Sequence, residues 1–236
     1  MVINEELKLE MAAYAQSKSP EEACGLIAGG RFVPCVNIHP QPVDGFAIAA
    51  KDYAKLEDHG IETVFHSHGG FNSNFSKHDI QSCKAINLPW AMYCTGANSW
   101  QFMDPTGNAP YINRPWLYGI YDCYGLVRDY FKNEFAIILD DYKRGEEFEW
   151  KSMEWQMFER NFRQQGFGEI SKEEIKKGDV LLMQLQANFA NHVGVFHHPL
   201  QKIFYQHLLE RPSEATVYGG YWEKNTIKIL RHGSLW

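Results

Sequence analysis

The sequence lacks the features that mark several large classes of protein. It has no run of basic residues and carries a net charge of −6, so a surface that binds nucleic acid is not expected. No apolar stretch is long enough to cross a bilayer, and the first residues show no basic segment followed by an apolar core. We therefore expect neither membrane insertion nor a secretion signal. No internal repeat or low-complexity tract is present.

Cysteine is sparse and has no paired pattern. The chain holds five cysteines, an odd number, and none forms a Cys-x-x-Cys pair. A disulfide framework or a cysteine zinc knuckle is therefore not expected, and a reducing compartment is predicted. Four of them lie in apolar strand or helix contexts and are predicted to pack in the core: Cys24, Cys35, Cys83 and Cys94.

Hydrophobic periodicity predicts alternating helices and strands in the first half of the chain. Two apolar runs around Gly29-Gly30 predict a β-hairpin. Helices are predicted over residues 4–18, over 52–59 with Asp52 as a cap, and from a cap at Ser76 onward; strands are predicted at 46–48, 64–68, 90–94 and 100–102. This half is predicted to be an α/β domain.

Residues 104–115 are dense in turn-forming residues and are predicted to link two domains, 1–107 and 114–236. Beyond the linker, one helix is predicted to begin after Asp122 and another to cover 151–165, with Met153 on its apolar face. Strands are predicted at 180–183, 191–196, 203–208 and 226–231. The second half is therefore predicted to be an α+β domain.

Two histidines one residue apart, His66 and His68, follow a short apolar strand. Alternate residues of a strand point the same way, so both imidazoles can face one cation. Asp79, at the third position of the helix capped by Ser76, could return a carboxylate oxygen. Two imidazoles, one carboxylate and an open water position form a catalytic zinc site. The alternative is that both histidines are polar residues at a strand end.

This spacing, together with Glu22 in the Pro-x-Glu-x-Cys-Gly segment at 20–25, resembles the JAMM motif of the MPN-type metalloproteases. The roles that the resemblance implies are zinc ligation by His66, His68 and Asp79, general-base catalysis by Glu22, and oxyanion stabilisation or simple helix capping by Ser76. Many JAMM sequences have proline where this chain has Gly69 and Phe75. These two differences leave the metal ligands unchanged, but the resemblance does not define the geometry of the loop or the substrate preference.

A second set of residues suits nucleophilic catalysis by a thiol. Cys123 lies in the first turn of a predicted helix, where the helix dipole favours a thiolate. A histidine within hydrogen-bond reach makes such a thiol a nucleophile. His192 opens one predicted strand and His207 ends a later one, so His192 could contact the thiol while His207 orients the imidazole, as in papain-like sites. Taken singly, a cysteine on a helix is usually a small buried residue, and a histidine in a Val-Gly-Val strand is usually just a strand end; it is their order and spacing together that favour a cysteine peptidase.

The order of these motifs resembles the NlpC-type cysteine peptidases, which cut peptidoglycan stem peptides. The matching segments are Asp-Cys-x-Gly-Leu-Val at 122–127, Gly-Asp-Val at 178–180 and Asn-His-Val-Gly-Val-Phe at 191–196. The resemblance covers most of 115–236 and implies Cys123 as nucleophile, His192 as base and His207 as orienting residue. Such enzymes often have a tyrosine near the nucleophile, and Tyr118 and Tyr121 are both candidates.

A JAMM-like half followed by an NlpC-like half resembles the tail-assembly protein K family of phage lambda. The resemblance implies a protein of the virion tail tip, assembled in the host cytoplasm, with other tail-tip proteins and peptidoglycan stem peptides as partners. Two alternatives stay open. One is an intracellular peptidase or isopeptidase that acts on a protein substrate, such as a ubiquitin-like tag. The other is a non-enzymatic assembly protein that uses both folds as docking surfaces.

Overall fold

The computed structural model describes residues 3–142 and 156–236. The chain divides into two units, Met1–Asn108 and Ala109–Trp236, and each unit has its own sheet. Both mix helices with strands, so the predicted fold classes, α/β for the first unit and α+β for the second, are confirmed.

The first unit is built around one mixed five-stranded sheet. Its elements are α1 (Glu5–Lys18), β1 (Cys24–Ala28), β2 (Arg31–Cys35), α2 (Ala50–Leu56), β3 (Ile61–His68), α3 (Lys77–Ile86), β4 (Trp90–Cys94) and β5 (Ser99–Met103). The strand order is β2-β1-β3-β4-β5. The β3–β4 pair is parallel and the other pairs are antiparallel.

Local sequence signals account for most of these elements. The side chain of Asn4 caps α1 by accepting the Leu7 N–H at 2.8 Å. Gly29 and Gly30 adopt φ angles of 56° and 71° in the predicted hairpin turn, a conformation that glycine adopts without steric cost. Ser76 caps α3 as predicted.

Two predictions in the first unit are wrong. Residues 46–48 form no strand. The Ala47 N–H donates to the side chain of Asn37 at 3.1 Å and the Ala47 carbonyl accepts the Ile38 N–H at 3.0 Å, so this segment is bonded to residues 37 and 38 without forming a strand ladder. Asp52 does not cap α2, because the helix begins two residues earlier, at Ala50. The predicted helix also tightens into a 3-10 turn over Glu57–His59.

Within its described residues, the second unit carries six antiparallel strands in the order β10-β9-β8-β7-β11-β6. Its elements are α4 (Cys123–Phe135), α5 (Met157–Asn161), β6 (Phe167–Ile170), β7 (Val180–Met183), β8 (His192–His198), β9 (Ile203–Gln206), β10 (Glu214–Val217), α6 (Tyr221–Asn225) and β11 (Thr226–His232). The core lies between α4 and the sheet, and at its centre are Tyr130, Phe131, Leu182 and Val195.

Helix α4 packs along β8, and two contacts fix its direction. The hydroxyl of Tyr130 lies 2.9 Å from Nδ1 of His197, near the end of β8. The ring of Phe135 lies against Gly178, whose N–H donates to the Phe196 carbonyl at 2.9 Å. The C-terminal ends of α4 and β8 therefore lie together, and the two elements run in the same direction.

The remaining differences concern the edges and ends of elements. Where it is described, the helix predicted over 151–165 is only the short α5, and Met153 lies outside the described residues. Strand β9 ends at Gln206, one residue before His207. Strands β6 and β10 and helix α6 were not predicted. In the part of the chain that the structure describes, no helix has the length and apolar character needed to span a bilayer.

Candidate functional site

The register of β1 against β3 brings the metal-motif side chains of the first unit to one face. Cys24 lies opposite His66. Extending this pairing by two residues brings Glu22, just before β1, level with His68. Because residues two apart on a strand share a face, Glu22 and both histidines are directed to the same side of the sheet.

Ser67, between the two histidines, holds the segment that carries Glu22. Its hydroxyl oxygen accepts the Ala23 N–H at 2.9 Å, and its own N–H donates to the Ala23 carbonyl at 2.9 Å. On the other side, the Glu22 N–H donates to the Pro42 carbonyl at 2.7 Å. The carboxylate of Glu22 is therefore presented by a backbone that is anchored on both sides. This role of Ser67 depends on the pairing of distant segments and carries no local sequence signal.

The side-chain atoms of this motif converge. Nε2 of His66 lies 3.2 Å from Nε2 of His68. The two oxygens of Asp79 each lie 3.5 Å from one of these nitrogens. Oε1 of Glu22 is 3.8 Å from Nε2 of His68. Glu22, His66 and His68 each offer one ligand atom, and these atoms lie within 4.8 Å of one another.

These separations fit a bound metal ion. Ligand atoms about 2.1 Å from a tetrahedral zinc ion are about 3.4 Å apart. The two imidazole nitrogens lie 3.2 Å apart, and each lies 3.5 Å from one oxygen of Asp79, distances close to that edge length. Two imidazole nitrogens directed at one point also need a positive centre between them, either a proton or a metal ion. The residues present are therefore suited to zinc.

Ser76 caps α3 and orients Asp79 at the same time. The Ser76 hydroxyl and backbone N–H both donate to Oδ2 of Asp79 at 2.7 Å, and the Asp79 N–H donates back to the hydroxyl at 3.1 Å. This geometry favours helix capping over oxyanion stabilisation as the role of Ser76, because its hydroxyl hydrogen is directed at the carboxylate of Asp79.

His66 is held by aromatic packing. It is fully buried, and Phe46 stacks on its ring at 4.6 Å with an interplanar angle of 16°. Trp90 meets the ring edge-on at 5.5 Å. Among the described residues, Nδ1 of His66 has no hydrogen-bond partner. A ligand histidine is usually oriented by a hydrogen bond at its second nitrogen, and here the aromatic rings supply that constraint.

Burial and neighbouring charges shift the pKa values in this site. Burial is the largest influence on Glu22 and raises its pKa to about 7, which suits a general base near neutral pH. Burial lowers the pKa of His66. Burial alone would raise the pKa of Asp79, but hydrogen bonds to both histidines outweigh it and hold that pKa well below its usual range.

In the second unit, the start of α4 is fixed by Asp122. Its Oδ1 accepts the Gly125 N–H at 2.7 Å and its Oδ2 accepts the Gly119 N–H at 2.9 Å. A Cβ atom at Gly125 would lie 2.1 Å from the Ile120 carbonyl oxygen, so only glycine fits there. Cys123 consequently occupies the first position of the helix, as predicted.

Cys123 differs from the other four cysteines in exposure. It is partly exposed, whereas the others are buried and free, as expected of core residues. Burial raises the pKa of the Cys24 thiol to about 12 and that of Cys35 to about 11. These buried thiols are therefore poor nucleophiles near neutral pH.

His192 is the first residue of β8 and is buried. Because α4 and β8 run in the same direction, Cys123 and His192 lie at the same end of the unit. Burial lowers the pKa of His192 to about 4, and the neighbouring His207 adds to this lowering, whereas the hydrogen bond that His192 donates to Gln206 opposes it. The imidazole is therefore neutral near pH 7 and able to accept a proton.

The hydrogen-bond partner of His192 is Gln206, and the prediction that His207 makes this contact is wrong. Nε2 of His192 lies 3.0 Å from Oε1 of Gln206. The β8–β9 register pairs Gly194 with Gln206, so Gln206 shares a face with His192 and the next residue does not. The alternation of side chains along a strand identifies Gln206 as the partner of His192 only when the β8–β9 register is known, and the sequence alone does not give that register.

His207 is buried beside an aromatic ring and two charged side chains. Its ring meets Trp116 edge-on at 5.2 Å, and Asp122 and Arg114 are near enough to act on its charge. Burial lowers its pKa to about 4. Of the two candidate tyrosines, Tyr121 is buried with the guanidinium of Arg114 at 5.3 Å over its ring, and Tyr118 is only half-buried.

Two family matches cover most of the chain. Residues 4–105 match the prokaryotic homologs of the JAB domain, and residues 111–231 match the NlpC/P60 family. The tail tip assembly protein K of Escherichia phage N15 is 32% identical over 230 residues, which cover 93% of this chain and 91% of that protein.

Two solved structures resemble parts of the chain. A Desulfitobacterium hafniense protein solved in solution is 23% identical, with a TM-score of 0.32, over 42% of this chain and 79% of its own. A Staphylococcus aureus protein described as similar to lipoprotein, of the NLP/P60 family, is 20% identical, with a TM-score of 0.36, over 51% of this chain and 37% of its own.

Proposed function

Because this chain belongs to the tail tip assembly protein K family, we propose that it is a phage tail-tip protein that cleaves peptide bonds in the peptidoglycan of the host cell wall. The observation that supports this most directly is in the second unit. Cys123 heads α4 at the same end as His192, and Nε2 of His192 meets the side-chain oxygen of Gln206. Nucleophile, base and orienting group are the three parts that a thiol peptidase needs.

In this mechanism Sγ of Cys123 attacks the carbonyl carbon of a stem-peptide amide. Nδ1 of His192 takes the thiol proton, because Nε2 is occupied by its hydrogen bond to Gln206. The backbone N–H of Cys123, at the positive end of α4, stabilises the negative oxygen of the tetrahedral intermediate. His192 then returns the proton to the leaving amine, and water hydrolyses the thioester.

The first unit would act as a separate metal-dependent peptidase. His66, His68 and Asp79 would hold a zinc ion, since their ligand atoms are spaced for one. Zinc supplies Lewis acidity that polarises a carbonyl and acidifies water. Glu22 would accept the proton of the attacking water, a role for which its pKa of about 7 is suited. Ser76 keeps the carboxylate of Asp79 in place.

Digestion of purified peptidoglycan tests the proposal. Wild-type protein should release new amino groups from the wall, Cys123→Ala should release none, and Glu22→Gln should match the wild type in this assay. The two variants serve as controls for each other, because each changes one unit only. Equal release by Cys123→Ala would overturn the thiol mechanism. An intact wall with the wild-type protein would instead favour a peptidase or isopeptidase that acts on proteins.

A phage assay separates an enzyme from an assembly protein. Particles that carry Cys123→Ala should assemble normally, with the other tail-tip proteins as partners, but should infect poorly. If Cys123→Ala and Glu22→Gln particles both assemble and infect like the wild type, the catalytic proposal fails and a docking role remains. Detection of the protein in purified tails tests its place in the virion.

A further inference from the structure

The side chain of Gln206 is the start of a short chain of hydrogen bonds on β9 and β10. Its Nε2 donates to Oγ1 of Thr216 at 2.8 Å and to Oε1 of Glu214 at 3.1 Å. The Thr216 hydroxyl itself donates to Oε1 of Glu214 at 3.1 Å. The register places Glu214 directly opposite Gln206, and Thr216 is two residues further along β10 on the same face.

Glu214 determines which group donates and which accepts in each of these hydrogen bonds. An amide side chain has a donor end and an acceptor end of nearly equal shape, so it can turn over at little steric cost. An ionised carboxylate only accepts hydrogen bonds. It therefore takes the hydroxyl hydrogen of Thr216 and one N–H of Gln206, which leaves the threonine oxygen to accept the other N–H. The amide oxygen of Gln206 is then the end that faces His192.

A fixed amide fixes the tautomer of the histidine. If Oε1 of Gln206 faces Nε2 of His192, that nitrogen must carry the hydrogen. Nδ1 is then unprotonated and can accept the proton of a thiol. If the amide turned over, its N–H groups would face Nε2, which would have to give up its hydrogen. The proton would then move to Nδ1, and the imidazole would no longer be a base toward Cys123.

We propose that Glu214 and Thr216 are positioning residues of the cysteine site, which hold the Gln206 amide with its oxygen toward His192 and so select the tautomer that can activate the thiol. This inference deepens the function proposed above and rests on it. Glu214 is exposed, so its attraction for distant charges is screened by solvent. It acts through the direction of its hydrogen bonds.

The first test replaces Glu214 with an amide. In Glu214→Gln the carboxylate becomes a side chain that can also donate, so the Gln206 amide is free to turn over. We expect kcat on peptidoglycan fragments to fall on the order of tenfold with KM unchanged, as for other losses of an orienting contact. Thr216→Val should act in the same direction. Glu210→Gln, at an exposed glutamate just before β10, is the matched control and should be silent.

Nitrogen NMR of ¹⁵N-histidine-labelled protein reports the tautomer directly. The His192 signals, identified by their loss in His192→Gln, should show hydrogen on Nε2 alone in the wild type and a mixture in Glu214→Gln. Unchanged signals together with an unchanged kcat in Glu214→Gln would overturn the proposal. If the wild type does not cleave peptidoglycan, the proposed function fails, but the tautomer measurement still decides whether Glu214 orients the pair.

A double-mutant cycle with Gln206→Glu gives the sharpest outcome. A carboxylate at position 206 has two equivalent oxygens, so it cannot be turned the wrong way, and it would repel Glu214. In this background Glu214→Gln should leave kcat unchanged or raise it, although it lowers kcat in the wild type. A loss of the same size in both backgrounds would mean that Glu214 does not act through the amide, and would overturn the inference.

Discussion

The side-chain oxygen of Gln206 lies 3.0 Å from Nε2 of His192. His207, the next residue, packs against Trp116. We therefore expect Gln206→Ala to lower kcat on peptidoglycan by about 100-fold or more, because the imidazole loses the group that orients it. His207→Phe keeps an aromatic ring against Trp116, and its kcat should fall less than tenfold. Steady-state kinetics of the two purified variants provide the comparison.

Acid should destabilise the second unit through two buried histidines. The pKa of His192 and that of His207 are both lowered to about 4, mainly by burial. Such a group binds its proton first in the unfolded chain, so stability is complete above about pH 6.5 and is lost as the pH falls towards 4. Each group should contribute up to about 3 kcal/mol to this loss.

Urea unfolding between pH 4 and pH 7 measures this dependence. His207→Phe should remove about half of it, and the control His59→Gln, at an exposed histidine, should remove none. If the His207→Phe profile keeps the full acid dependence, the titrating groups lie elsewhere.

Substitution of Glu22 should abolish metal-dependent catalysis without abolishing zinc binding. His68→Ala and Asp79→Asn remove ligand atoms that lie 3.5 Å apart in the structure, and both should purify with little zinc. Glu22→Gln keeps the ligands and should retain about one zinc ion per chain while losing activity. Metal content measured by mass spectrometry is the readout, with Glu21→Gln, at the exposed neighbouring residue, as control. A Glu22→Gln protein without zinc would instead make Glu22 a ligand.

Gly125→Ala should destabilise the second unit strongly. The added Cβ would lie 2.1 Å from the Ile120 carbonyl oxygen, so the turn before α4 would have to move. Overpacking of this kind costs about 1–3 kcal/mol, and a backbone contact belongs at the upper end. Thermal unfolding should show the loss, while Gly70→Ala, where a Cβ meets no atom within 4 Å, should leave Tm unchanged.

The parts of the fold that the sequence predicted correctly depend on local signals. The Gly29-Gly30 turn, the cap at Ser76 and the cap at Asp122 all act within a few residues of themselves. The spacing of His66 and His68 on one strand also follows from strand geometry alone. Such features can be predicted from one sequence because no distant partner is needed.

The parts that the sequence did not predict depend on pairing between distant segments. The contact of Gln206 with His192 follows from the β8–β9 register, which a single sequence does not specify. Strand β10 is short and largely exposed, so it carries no apolar pattern to detect. The sequence at 46–48 is typical of a strand, and the hydrogen bonds that join this segment to Asn37 and Ile38 cannot be read from local composition.

The position of Ser67 restricts which substitutions the first unit can accept during evolution. His66 and His68 on either side of it face the metal site, but the side chain of Ser67 faces the other side of the sheet and accepts a hydrogen bond from Ala23. A substitution at position 67 would remove none of the side chains that face the metal site, but it would shift Glu22 through the backbone. Mutational tolerance there should accordingly be narrow, limited to small hydroxyl-bearing residues, although position 67 takes no part in the reaction.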